Sequence, residues 1–598
     1  MHTLKKLFFL LSLSERKRAG ILMVMIVMMA LLDTLGVVSI LPFIAVLSKP
    51  SLVETNNLLI FLFDISKTYG VNTPQEFLFS LGILVFVTLV FSLSFKALTT
   101  YAQTRFALMR EYSIGKRLVE GYLHQPYSWF LSRHSADLGK TILSEVSTVI
   151  QGGMIPLMTL MAQIAVASGL LILLLIVDPV LALSVGLTLG LTYILIFSYM
   201  SKLLKTLGEK RAKANQERFT SIVEAFSNAK ELKVRGLEKT YTDRFSQPAE
   251  EFAKGQATAK VIGLLPRYIL EAIAFGGMLV VILYLMMRSG SFANAVPIIA
   301  LYAFAGYRLL PALQQIYSAF TQLRFIGPAL DILYKDLNSL KKFVKNNKNV
   351  SQIYLNRSIS LRNIVYTYPN SSKPALKDIS IDIPVNSTTA FVGVTGSGKT
   401  TLVDLILGLL EPQKGTLSVD EKVINDKNRH RWQRSIGYVP QQIYLADASI
   451  SANIAFGVNP NDIDHEAVEL SSKIANLHDF INKTLSEGYD TKIGERGVRL
   501  SGGQCQRIGI ARALYHKPKI LVLDEATSAL DNLTEQMIMN HIKNLNYDVT
   551  IIFIAHRLST VRQCDQIYLF DQGKIKDSGN YDQLFKKNIQ FRQMAKKI

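Results

Sequence analysis

Six long apolar runs occupy the first half of this 598-residue chain, and they restrict its fold more than any other feature. Each run reaches or exceeds the ~20 residues that a helix needs to cross a bilayer core of ~30 Å. The first run is too long for a signal peptide and lacks a small-residue cleavage site, so we expect it to be retained. The sequence therefore predicts an α-helical membrane domain with six spans: Gly20–Leu47, Phe77–Gln103, Gly152–Val177, Val180–Met200, Val261–Met287 and Phe292–Phe320.

The second half of the chain has a different character. The whole sequence is 49% hydrophobic and only 19% charged, which is apolar for a soluble protein. From about residue 355 onward, however, the pattern is that of an ordinary soluble α/β domain, and a polar, basic stretch precedes it. We therefore predict a membrane domain over residues 1–340, a linker over 341–354 and a soluble domain over 355–598.

The distribution of basic residues indicates the orientation of the chain. The N-terminus and the segments after spans two and four are basic, whereas the turns after spans three and five are short. Because Lys and Arg concentrate in cytoplasmic loops, we expect the N-terminus and the soluble domain to be cytoplasmic. The net charge of +20 partly reflects this topology, and since no basic nucleic-acid-binding motif accompanies it, we expect no nucleic-acid partner. The two cysteines, Cys505 and Cys564, fit a reducing compartment and have no disulfide or metal-site spacing.

A glycine-rich loop in the soluble half is typical of a phosphate-binding site. The run FVGVTGSGKTTLVDLILGLL passes from a short apolar strand to an apolar helix, with Gly393-x-x-x-x-Gly398-Lys399-Thr400 between them. Glycines let backbone N–H groups face the phosphates, and the helix N-terminus adds a favourable dipole. Lys399 can reach the β- and γ-phosphates, and the Thr400 hydroxyl can bind Mg²⁺. A chance glycine turn is the alternative, but it does not explain the strand before the loop and the helix after it.

Two adjacent carboxylates follow a second apolar strand. The four aliphatic residues Ile520–Leu523 predict a buried strand that brings Asp524 and Glu525 to its carboxyl end, where α/β sheets bind ligands. Asp524 is the expected Mg²⁺ ligand, and Glu525 is placed to orient and polarise the attacking water. A surface acidic pair is the alternative, although such pairs rarely follow four aliphatic residues.

The stretch LSGGQ, Leu500–Gln504, predicts a second anion-binding element at the start of a helix. The chain thus has two phosphate-binding devices but one phosphate loop. With these motifs in this order, the soluble half resembles the ATP-binding cassette (ABC) transporter family. The resemblance implies a P-loop nucleotide-binding domain that hydrolyses ATP with Mg²⁺.

The same resemblance implies roles for single residues. Tyr368 matches the aromatic residue that stacks on adenine, and Gln441 matches the glutamine that touches Mg²⁺ and senses the membrane domain. His556 matches the histidine that contacts the γ-phosphate, and Glu495 matches the loop that exporters place against their membrane helices. Asp531 matches the aspartate that crosses to the partner subunit. The implied catalytic residues are Glu525, His556 and Gln441; the Mg²⁺ ligands are Thr400, Gln441 and Asp524; and the nucleotide ligands are Tyr368, Gly393, Thr395, Gly396, Ser397, Gly398, Lys399, Thr400, Thr401, Ser501, Gly502, Gly503, Gln504 and Asp531.

Six predicted spans followed by one cassette resemble an ABC exporter half-transporter. In that family, Ser501 and Gly503 of one subunit would contact the ATP held by the other, so the resemblance implies a homodimer with two ATP molecules. A heterodimer is the alternative, but heterodimers often have one degenerate site, whereas the motifs here are complete. Cys505 replaces the family's usual basic or amide residue; we expect little effect from this change, and the alternative is a thiol-sensitive turnover. Residues 122–142 and 218–238 resemble the cytoplasmic extensions that press on the cassettes, although plain solvated helices would look similar.

Three basic residues lie within the predicted spans, where charge is costly and commonly functional. At a rise of about 1.5 Å per residue, Lys96, Arg267 and Arg308 lie at roughly one depth in the inner half of the membrane. Two copies of the chain would then form a basic belt suited to a phosphate or pyrophosphate head group. The alternatives are structural: Glu271 can pair with Arg267, Lys96 can snorkel to the interface, and Asp33 can pair with any of the three.

Looser motifs in the membrane half narrow the expected substrate. The patterns LKKLFFLLS, PRYILE and YRLLPALQQI resemble the bacterial lipid-linked oligosaccharide flippases of protein N-glycosylation. The apolar stretch 58–63 is too short to span and predicts an interfacial helix, which the resemblance assigns to the polyprenyl tail; a buried loop helix is the alternative.

The resulting hypothesis is ATP-driven flipping of a polyprenyl-pyrophosphate-linked oligosaccharide. The lipid would move from the inner to the outer face of the bacterial cytoplasmic membrane, with the bilayer and a second copy of the chain as partners. A lipid A or multidrug exporter is the first alternative, because it shares the architecture. An ATP-gated channel or sensor is a further alternative, against which the intact Glu525 argues.

Overall fold

The structure is a computed structural model, and it divides into two compact units. The first unit comprises Met1–Gln125 and Arg133–Phe343, and the second comprises Pro126–Ser132 and Val344–Ile598. The short segment Pro126–Ser132, predicted as part of the membrane domain, therefore groups with the second unit. The exact domain limits drawn from the sequence stay predictions. The structure describes residues 2–48, 52–68, 70–177, 179–289, 292–340, 352–369, 371–494, 497–498, 500–527, 529–545, 548–555 and 561–596.

The first unit is built from helices, and local sequence signals mark where several of them begin. Ser12 and Glu15 form a capping box at the second helix, and Thr73 and Glu76 form another at the sixth. These reciprocal hydrogen bonds satisfy backbone N–H groups that have no partner within the helix. The helices are α1 (His2–Leu10), α2 (Leu13–Val38), α3 (Ile40–Ser48), α4 (Leu52–Thr55), α5 (Asn57–Lys67), α6 (Pro74–Leu123), α7 (Tyr127–Phe130, in the second unit), α8 (Ser135–Lys140), α9 (Val146–Val149), α10 (Ile155–Val177), α11 (Pro179–Ser227), α12 (Ala229–Arg235), α13 (Glu238–Ser289), α14 (Phe292–Phe325) and α15 (Gly327–Ser339).

Four helical stretches among the described residues are long and apolar enough to cross a membrane. They are Leu13–Leu47, Pro74–Leu123, Ser135–Val177 and Ala182–Ser227, and they contain the first three predicted spans and nearly all of the fourth. The fifth and sixth predicted spans fall in α13 and α14, which are continuous helices of 52 and 34 residues. These two helices are not among the four stretches, so their span assignment stays a prediction.

Apolar side chains from α2, α10 and α14 pack into one buried cluster. Because lipid tails are as apolar as these side chains, close van der Waals contact, rather than removal from water, is the favourable term in packing membrane helices. Within this unit the cluster fixes the relative positions of the three helices. It also provides the apolar surroundings of Asp33 on α2. Its fully buried members on these helices are Ile26, Met29, Ala30, Val37, Ala162, Val166, Ala167, Leu170, Leu174, Ala305, Leu309 and Ala312.

A buried polar network joins the segment before α10 to α11. Two π-helical turns, Thr141–Glu145 and Ile150–Met154, interrupt this segment. The Glu145 carboxylate at the end of the first turn accepts hydrogen bonds from Arg211 at 2.7 Å and from Asn215 at 2.6 Å. All three side chains are buried. Since a buried charge is tolerated only when it is paired and hydrogen-bonded, this network fixes how the two segments pack.

Within its described residues, the second unit contains ten strands and the helices from α16 onward. The Trp432 side chain is fully buried, and its Nε1 donates to the Ile406 carbonyl at 2.7 Å, which satisfies a carbonyl in the last turn of the helix after the glycine-rich loop. The strands are β1 (Ser358–Tyr366), β2 (Leu376–Pro384), β3 (Thr388–Gly393), β4 (Lys414–Val419), β5 (Lys422–Val423), β6 (Ile436–Val439), β7 (Ile520–Asp524), β8 (Thr550–Ile554), β9 (Gln566–Asp571) and β10 (Lys574–Gly579). The helices are α16 (Lys399–Ile406), α17 (Arg429–Gln433), α18 (Ile450–Ile454), α19 (His465–Ile474), α20 (His478–Thr484), α21 (Gly502–Leu514), α22 (Asn532–Lys543), α23 (Tyr581–Lys587) and α24 (Ile589–Lys596).

These strands form two sheets. A four-stranded antiparallel sheet has the order β2-β1-β4-β5, and a six-stranded sheet has the order β10-β9-β3-β8-β7-β6. In the larger sheet β9, β3, β8, β7 and β6 run parallel. Ile520 and Val522 of β7 face one apolar core, and Leu521 and Leu523 face the other. A strand buried on both faces is apolar throughout, as the sequence predicted for this run. The predicted fold class, a helical membrane domain followed by an α/β domain, is confirmed.

Candidate functional site

The glycine-rich loop lies at the carboxyl end of β3 and leads directly into α16. Gly398 caps the helix with a φ of 104°, a left-handed conformation that side chains disfavour. A Cβ at Gly398 would lie 2.9 Å from the Ala375 carbonyl oxygen, and one at Gly393 would lie 2.3 Å from that of Phe570. Both positions therefore require glycine. The loop holds its backbone N–H groups at a helix N-terminus, where an anion is favoured.

Lys399 and Ser397 in this loop have the properties expected beside a bound phosphate. The buried Lys399 ammonium donates to the Gly393 and Val394 carbonyls at 2.9 and 3.0 Å. Burial lowers its pKa, and the Glu525 and Asp524 charges oppose that shift. The buried Ser397 hydroxyl has no hydrogen-bond partner among the described residues. A phosphate would satisfy that hydroxyl and give the ammonium an anionic partner.

The other predicted ligands in and after the glycine-rich loop differ in their exposure to solvent. Thr395, Gly396 and Thr400 are exposed, so their polar groups are open to a ligand. Thr401 is buried, and its hydroxyl lies 3.0 Å from the Tyr368 hydroxyl. The predicted adenine-stacking residue is thus tied to the first turn of α16.

The two carboxylates lie where the sequence places them. Asp524 ends β7 and is buried, and Glu525 follows with a φ of 50°. A non-glycine residue in this region is strained, which is common at functional sites. The Glu525 carboxylate accepts a hydrogen bond from Gln441 Nε2 at 2.8 Å. Because β6 and β7 are parallel neighbours, Gln441 and Glu525 both follow strand ends at the same sheet edge as the glycine-rich loop.

Sequence reasoning did not assign a role to Asp404 and Tyr438, which lie near Asp524, or to Tyr127, which lies near Asp404. Burial and the Asp524 charge raise the pKa of Asp404 to about 6. Burial, then the charges of Asp524 and Asp404, raise the pKa of Tyr438. Burial and the Asp404 charge also raise the pKa of Tyr127 in α7, so this helix lies close to the acidic group. A lone carboxylate inside the apolar run LVDLILGLL was the available signal for Asp404.

The second anion-binding element lies at the start of α21. Ser501 caps this helix: its hydroxyl accepts from Gln504 N at 3.3 Å, and Gln504 Oε1 accepts from Ser501 N at 2.7 Å. Asp531 caps α22 and accepts from Thr534 N at 3.0 Å, and these hydrogen bonds lower its pKa. A cavity of about 360 Å³ joins the two caps; it is lined by Ser501, Gly502, Gly503, Arg507, Ala529, Leu530, Asp531 and Thr534. The predicted residues His556 and Glu495 lie outside the described residues.

Comparison with known proteins identifies the family. A profile described as ABC transporter matches residues 376–528, and one described as ABC transporter transmembrane region matches residues 38–307. The heterocyst differentiation ATP-binding protein HepA of Nostoc sp. is 32% identical over 468 residues, covering 76% of this chain and 74% of the relative. The chain belongs to the ABC transporter family.

Two further comparisons describe the type of ABC transporter. An ATP-dependent lipid A-core flippase of Aliivibrio fischeri is 28% identical over 483 residues, covering 79% of this chain and 80% of that protein. The solved structure of a bacterial Atm1-family ABC exporter with ATP bound has a TM-score of 0.79 at 22% identity, with 97% and 98% of the two chains covered. The chain is therefore an ABC exporter half-transporter, a multi-pass membrane protein whose cassette hydrolyses ATP to drive transport.

In the membrane domain of this ABC exporter, two of the three predicted substrate residues meet at one carboxylate. Lys96 on α6 lies 3.2 Å from Asp33 Oδ2, and Arg308 on α14 lies 3.0 Å from Asp33 Oδ1. Asp33 belongs to α2, so three helices contribute to this ion-pair triad. Lys96 and Arg308 thus lie close together through Asp33, a pairing that the sequence left open.

Arg267 has a different partner. Its Nε donates to Glu271 at 2.7 Å, one helical turn away on α13. This pair lines a cavity of about 260 Å³ together with Tyr193, Leu310, Pro311, Gln314 and Gln315. The α14 residues of this cavity begin two positions after Arg308, so the cavity and the triad are neighbours along α14. Each of the three predicted cations thus lies beside a carboxylate, Asp33 or Glu271, as the structural alternatives from the sequence allowed.

Proposed function

We propose that this ABC exporter flips a polyprenyl-pyrophosphate-linked oligosaccharide from the inner to the outer face of a bacterial cytoplasmic membrane. The observation that carries the proposal is the meeting of Lys96 and Arg308 inside the helical bundle. Cations within membrane helices are costly and mark substrate pathways. Arg in particular binds phosphate groups through two parallel hydrogen bonds. Lys96, Arg267 and Arg308 are the proposed contacts for the pyrophosphate.

ATP hydrolysis provides the driving force in this proposal. Glu525 orients and polarises the attacking water, while Gln441, which already holds its carboxylate, and His556 complete the catalytic set. Mg²⁺, when bound, neutralises phosphate charge, and the hydroxyl, carboxylate and amide oxygens of Thr400, Asp524 and Gln441 suit this hard cation. Lys399 and the backbone of the glycine-rich loop hold the phosphates. Tyr368 supports the adenine.

A second copy of the chain completes the proposed nucleotide site. Half-transporters of this family typically function as dimers. The cavity lined by Ser501, Gly503 and Asp531 offers a helix N-terminus to an anion but includes no residue of the glycine-rich loop. We propose that it receives the ATP held by the partner chain. Cassette closure on ATP and reopening after hydrolysis would then alternate access to the substrate.

Exposed apolar residues in the helical extension support a protein partner. Phe226, at the end of α11, is 77% exposed, and Val234 on α12 is 80% exposed. Side chains of this kind favour burial against a protein surface. We propose that this tip presses on a cassette. We also propose that α7, which groups with the cassette unit, presses on the cassette of its own chain.

The proposed lipid tail has its own contact surface on α5. This helix packs Leu59 into a small apolar cluster with Phe77 and Leu81, while Phe61 and Ile65 stay exposed. Such a helix can lie in the plane of a membrane interface with its exposed apolar side chains in the acyl region. We propose that it meets the polyprenyl chain at the outer leaflet.

The direct test is flipping of a fluorescent polyprenyl-pyrophosphate oligosaccharide in proteoliposomes. We expect ATP-dependent loss of inner-leaflet lipid with the wild type and none with Glu525→Gln, which retains ATP binding. A transporter that hydrolyses ATP normally but moves no such lipid would contradict the proposal.

A lipid A-core flippase is the second candidate, favoured by the relative of that name in Aliivibrio fischeri. The same proteoliposomes, prepared with fluorescent lipid A-core, separate the two. Movement of lipid A-core with no movement of the pyrophosphate lipid would replace the first proposal with the second.

A further inference from the structure

We infer that Asp33 is a built-in counter-anion of the head-group site, which holds Lys96 and Arg308 in place until the pyrophosphate of the lipid displaces it. This inference rests on the proposed function, because it requires an anionic substrate that competes with the Asp33 carboxylate for Lys96 and Arg308. Asp33 is then a positioning residue rather than a substrate contact. It acts through the two cations, and it determines how tightly an anionic lipid binds.

The geometry of the triad separates an inner side from an outer side. The Asp33 side chain is 3% exposed, whereas those of Lys96 and Arg308 are 33% and 21% exposed. Each carboxylate oxygen faces one cation, at 3.2 Å to Lys96 and 3.0 Å to Arg308. The carboxylate is therefore much more buried than the two cations with which it pairs. A ligand that reaches the triad therefore has more access to the cations than to Asp33.

The surroundings of Asp33 make its two partners necessary. On the same helix, Met29, Ala30 and Val37 belong to the buried apolar cluster, and Leu309 beside Arg308 belongs to it as well. A charge in apolar surroundings is stable only when it is paired. Asp33 thus pairs with cations from two other helices at one point. This is how a lysine on α6 and an arginine on α14 come to share one site.

The net charge of the triad suits a site that must both bind and release an anionic head group. Two cations and one carboxylate sum to +1, whereas the two cations alone would carry +2. The Arg267–Glu271 pair adds no net charge. A transport site must bind its substrate strongly enough to admit it and weakly enough to let it leave. A carboxylate that competes with the substrate for the same cations provides this balance.

The inference predicts opposite effects for single substitutions and a rescue when they are combined. Asp33→Asn raises the triad charge to +2 and should tighten binding of a pyrophosphate lipid by about tenfold, because the competing anion is gone. Lys96→Gln lowers the charge to zero and should weaken binding by about the same factor. The double variant Asp33→Asn/Lys96→Gln returns the charge to +1 and should bind within about twofold of the wild type. Asp331→Asn, which removes a carboxylate from the exposed pair with Lys6, is the matched control and should change nothing.

The experiment measures binding of radiolabelled geranylgeranyl pyrophosphate to the full-length transporter in nanodiscs. Geranylgeraniol, which lacks the anion, and inorganic pyrophosphate, which lacks the tail, serve as competitors. Tighter binding by Asp33→Asn, weaker binding by Lys96→Gln and recovery in the double variant would support the inference. If Asp33→Asn does not fold, lipid binding by the double variant is compared with that by Lys96→Gln alone. The double variant should fold more readily, because it leaves fewer unpaired buried charges.

Three outcomes would overturn the inference, and they are distinguishable. If the wild type prefers geranylgeranyl pyrophosphate but the double variant binds no better than Lys96→Gln, Asp33 is not a competitor and the proposed function stands. If geranylgeraniol competes as well as geranylgeranyl pyrophosphate does, the site does not recognise the anion. The proposed function and the inference then both fail. Competition by inorganic pyrophosphate at the same concentration would show a site for free anions, and this also overturns a lipid head-group role.

Discussion

The two candidate sites of this transporter are built in opposite ways. The nucleotide site is assembled from short continuous motifs, so Gly393 to Thr401 supply most of one wall. Its key groups are held by backbone geometry, such as the left-handed φ of Gly398 and of Glu525. The head-group site is assembled from single residues on α2, α6 and α14, and it is held by ion pairs between side chains. A site of the first kind is recognisable from sequence, whereas one of the second kind is recognisable only from structure.

This difference also separates the consequences of mutation. A group held by backbone geometry can be replaced without moving its neighbours, so its loss removes chemistry and leaves the fold intact. A group held by a buried ion pair leaves an unpaired charge behind, so its loss affects stability and function together. The following predictions test this separation, from the largest expected effect to the smallest.

The nucleotide site should lose its chemistry and keep its stability. Glu525→Gln removes the group that orients water, and we expect ATP hydrolysis to fall by about 100-fold or more. Lys399→Ala removes a phosphate clamp and should lower hydrolysis by a similar factor. ATPase assays and melting temperatures on the same preparations measure both properties. A large loss of stability in Glu525→Gln, comparable to its loss of activity, would contradict the separation.

The buried pair of Glu145 and Arg211 should instead affect stability when one partner is replaced. Glu145→Gln leaves the Arg211 guanidinium buried without its anion, and we expect a loss of about 3–5 kcal/mol in the free energy of unfolding. Glu217→Gln, which breaks the exposed pair with Lys213 on α11, is the matched control and should cost less than about 0.5 kcal/mol. Thermal unfolding in detergent compares the two variants. Equal melting temperatures would mean that the buried network is not structural.

Asp404 gives the cassette a pH-dependent stability term. Its pKa is raised from 3.8 to about 6, so between these values the native state binds more protons than the unfolded state. Stability from this group therefore falls as pH rises from about 4 to about 6. After a discount for partial exposure, Asp404→Asn should be more stable than the wild type by about 1–2 kcal/mol at about pH 8. Melting temperatures of both proteins from about pH 4 to about pH 8 measure this difference in stability. A difference that does not change with pH would contradict the prediction.

The smallest effect is expected at Cys505. Burial raises the pKa of its thiol, which lowers the reactive thiolate fraction at neutral pH. The thiol sensitivity suggested by its position in the second anion-binding element should therefore be weak. We expect Cys505→Ser to turn over within about twofold of the wild type, with slow inactivation by N-ethylmaleimide. Cys564, whose pKa burial raises to about 12, is the control thiol, and rapid inactivation that Cys505→Ser abolishes would contradict this expectation.

Sequence patterns predicted the strands, loop and helix around the candidate nucleotide site, because these elements depend on local order. The strand, loop and helix around Lys399 and the strand before Asp524 are fixed by apolar runs and glycines that neighbour one another in the chain. The hydrogen bond between Gln441 and Glu525 was not predictable, because it depends on β6 pairing with β7, and these strands are far apart in sequence. The proximity of Tyr127 to Asp404 depends likewise on which unit α7 joins.

The membrane site was predicted only in part. The depths of Lys96 and Arg308 followed from helix rise, and the structure brings them together. Their shared partner was one of several that the sequence allowed, because helix packing decides which face of α2 meets α6 and α14. Arg267 instead follows a local rule, since Glu271 lies one turn away on the same helix.

The most direct test of the account is the number of lipids moved per ATP hydrolysed. It should be measured in proteoliposomes with fluorescent polyprenyl-pyrophosphate oligosaccharide, comparing the wild type with the Arg267→Ala/Arg308→Ala double variant. We predict that this ratio falls about tenfold or more while basal hydrolysis stays within about twofold, because the cations act on the head group and not on ATP. An unchanged ratio would mean that the head-group site proposed here does not guide the transported lipid.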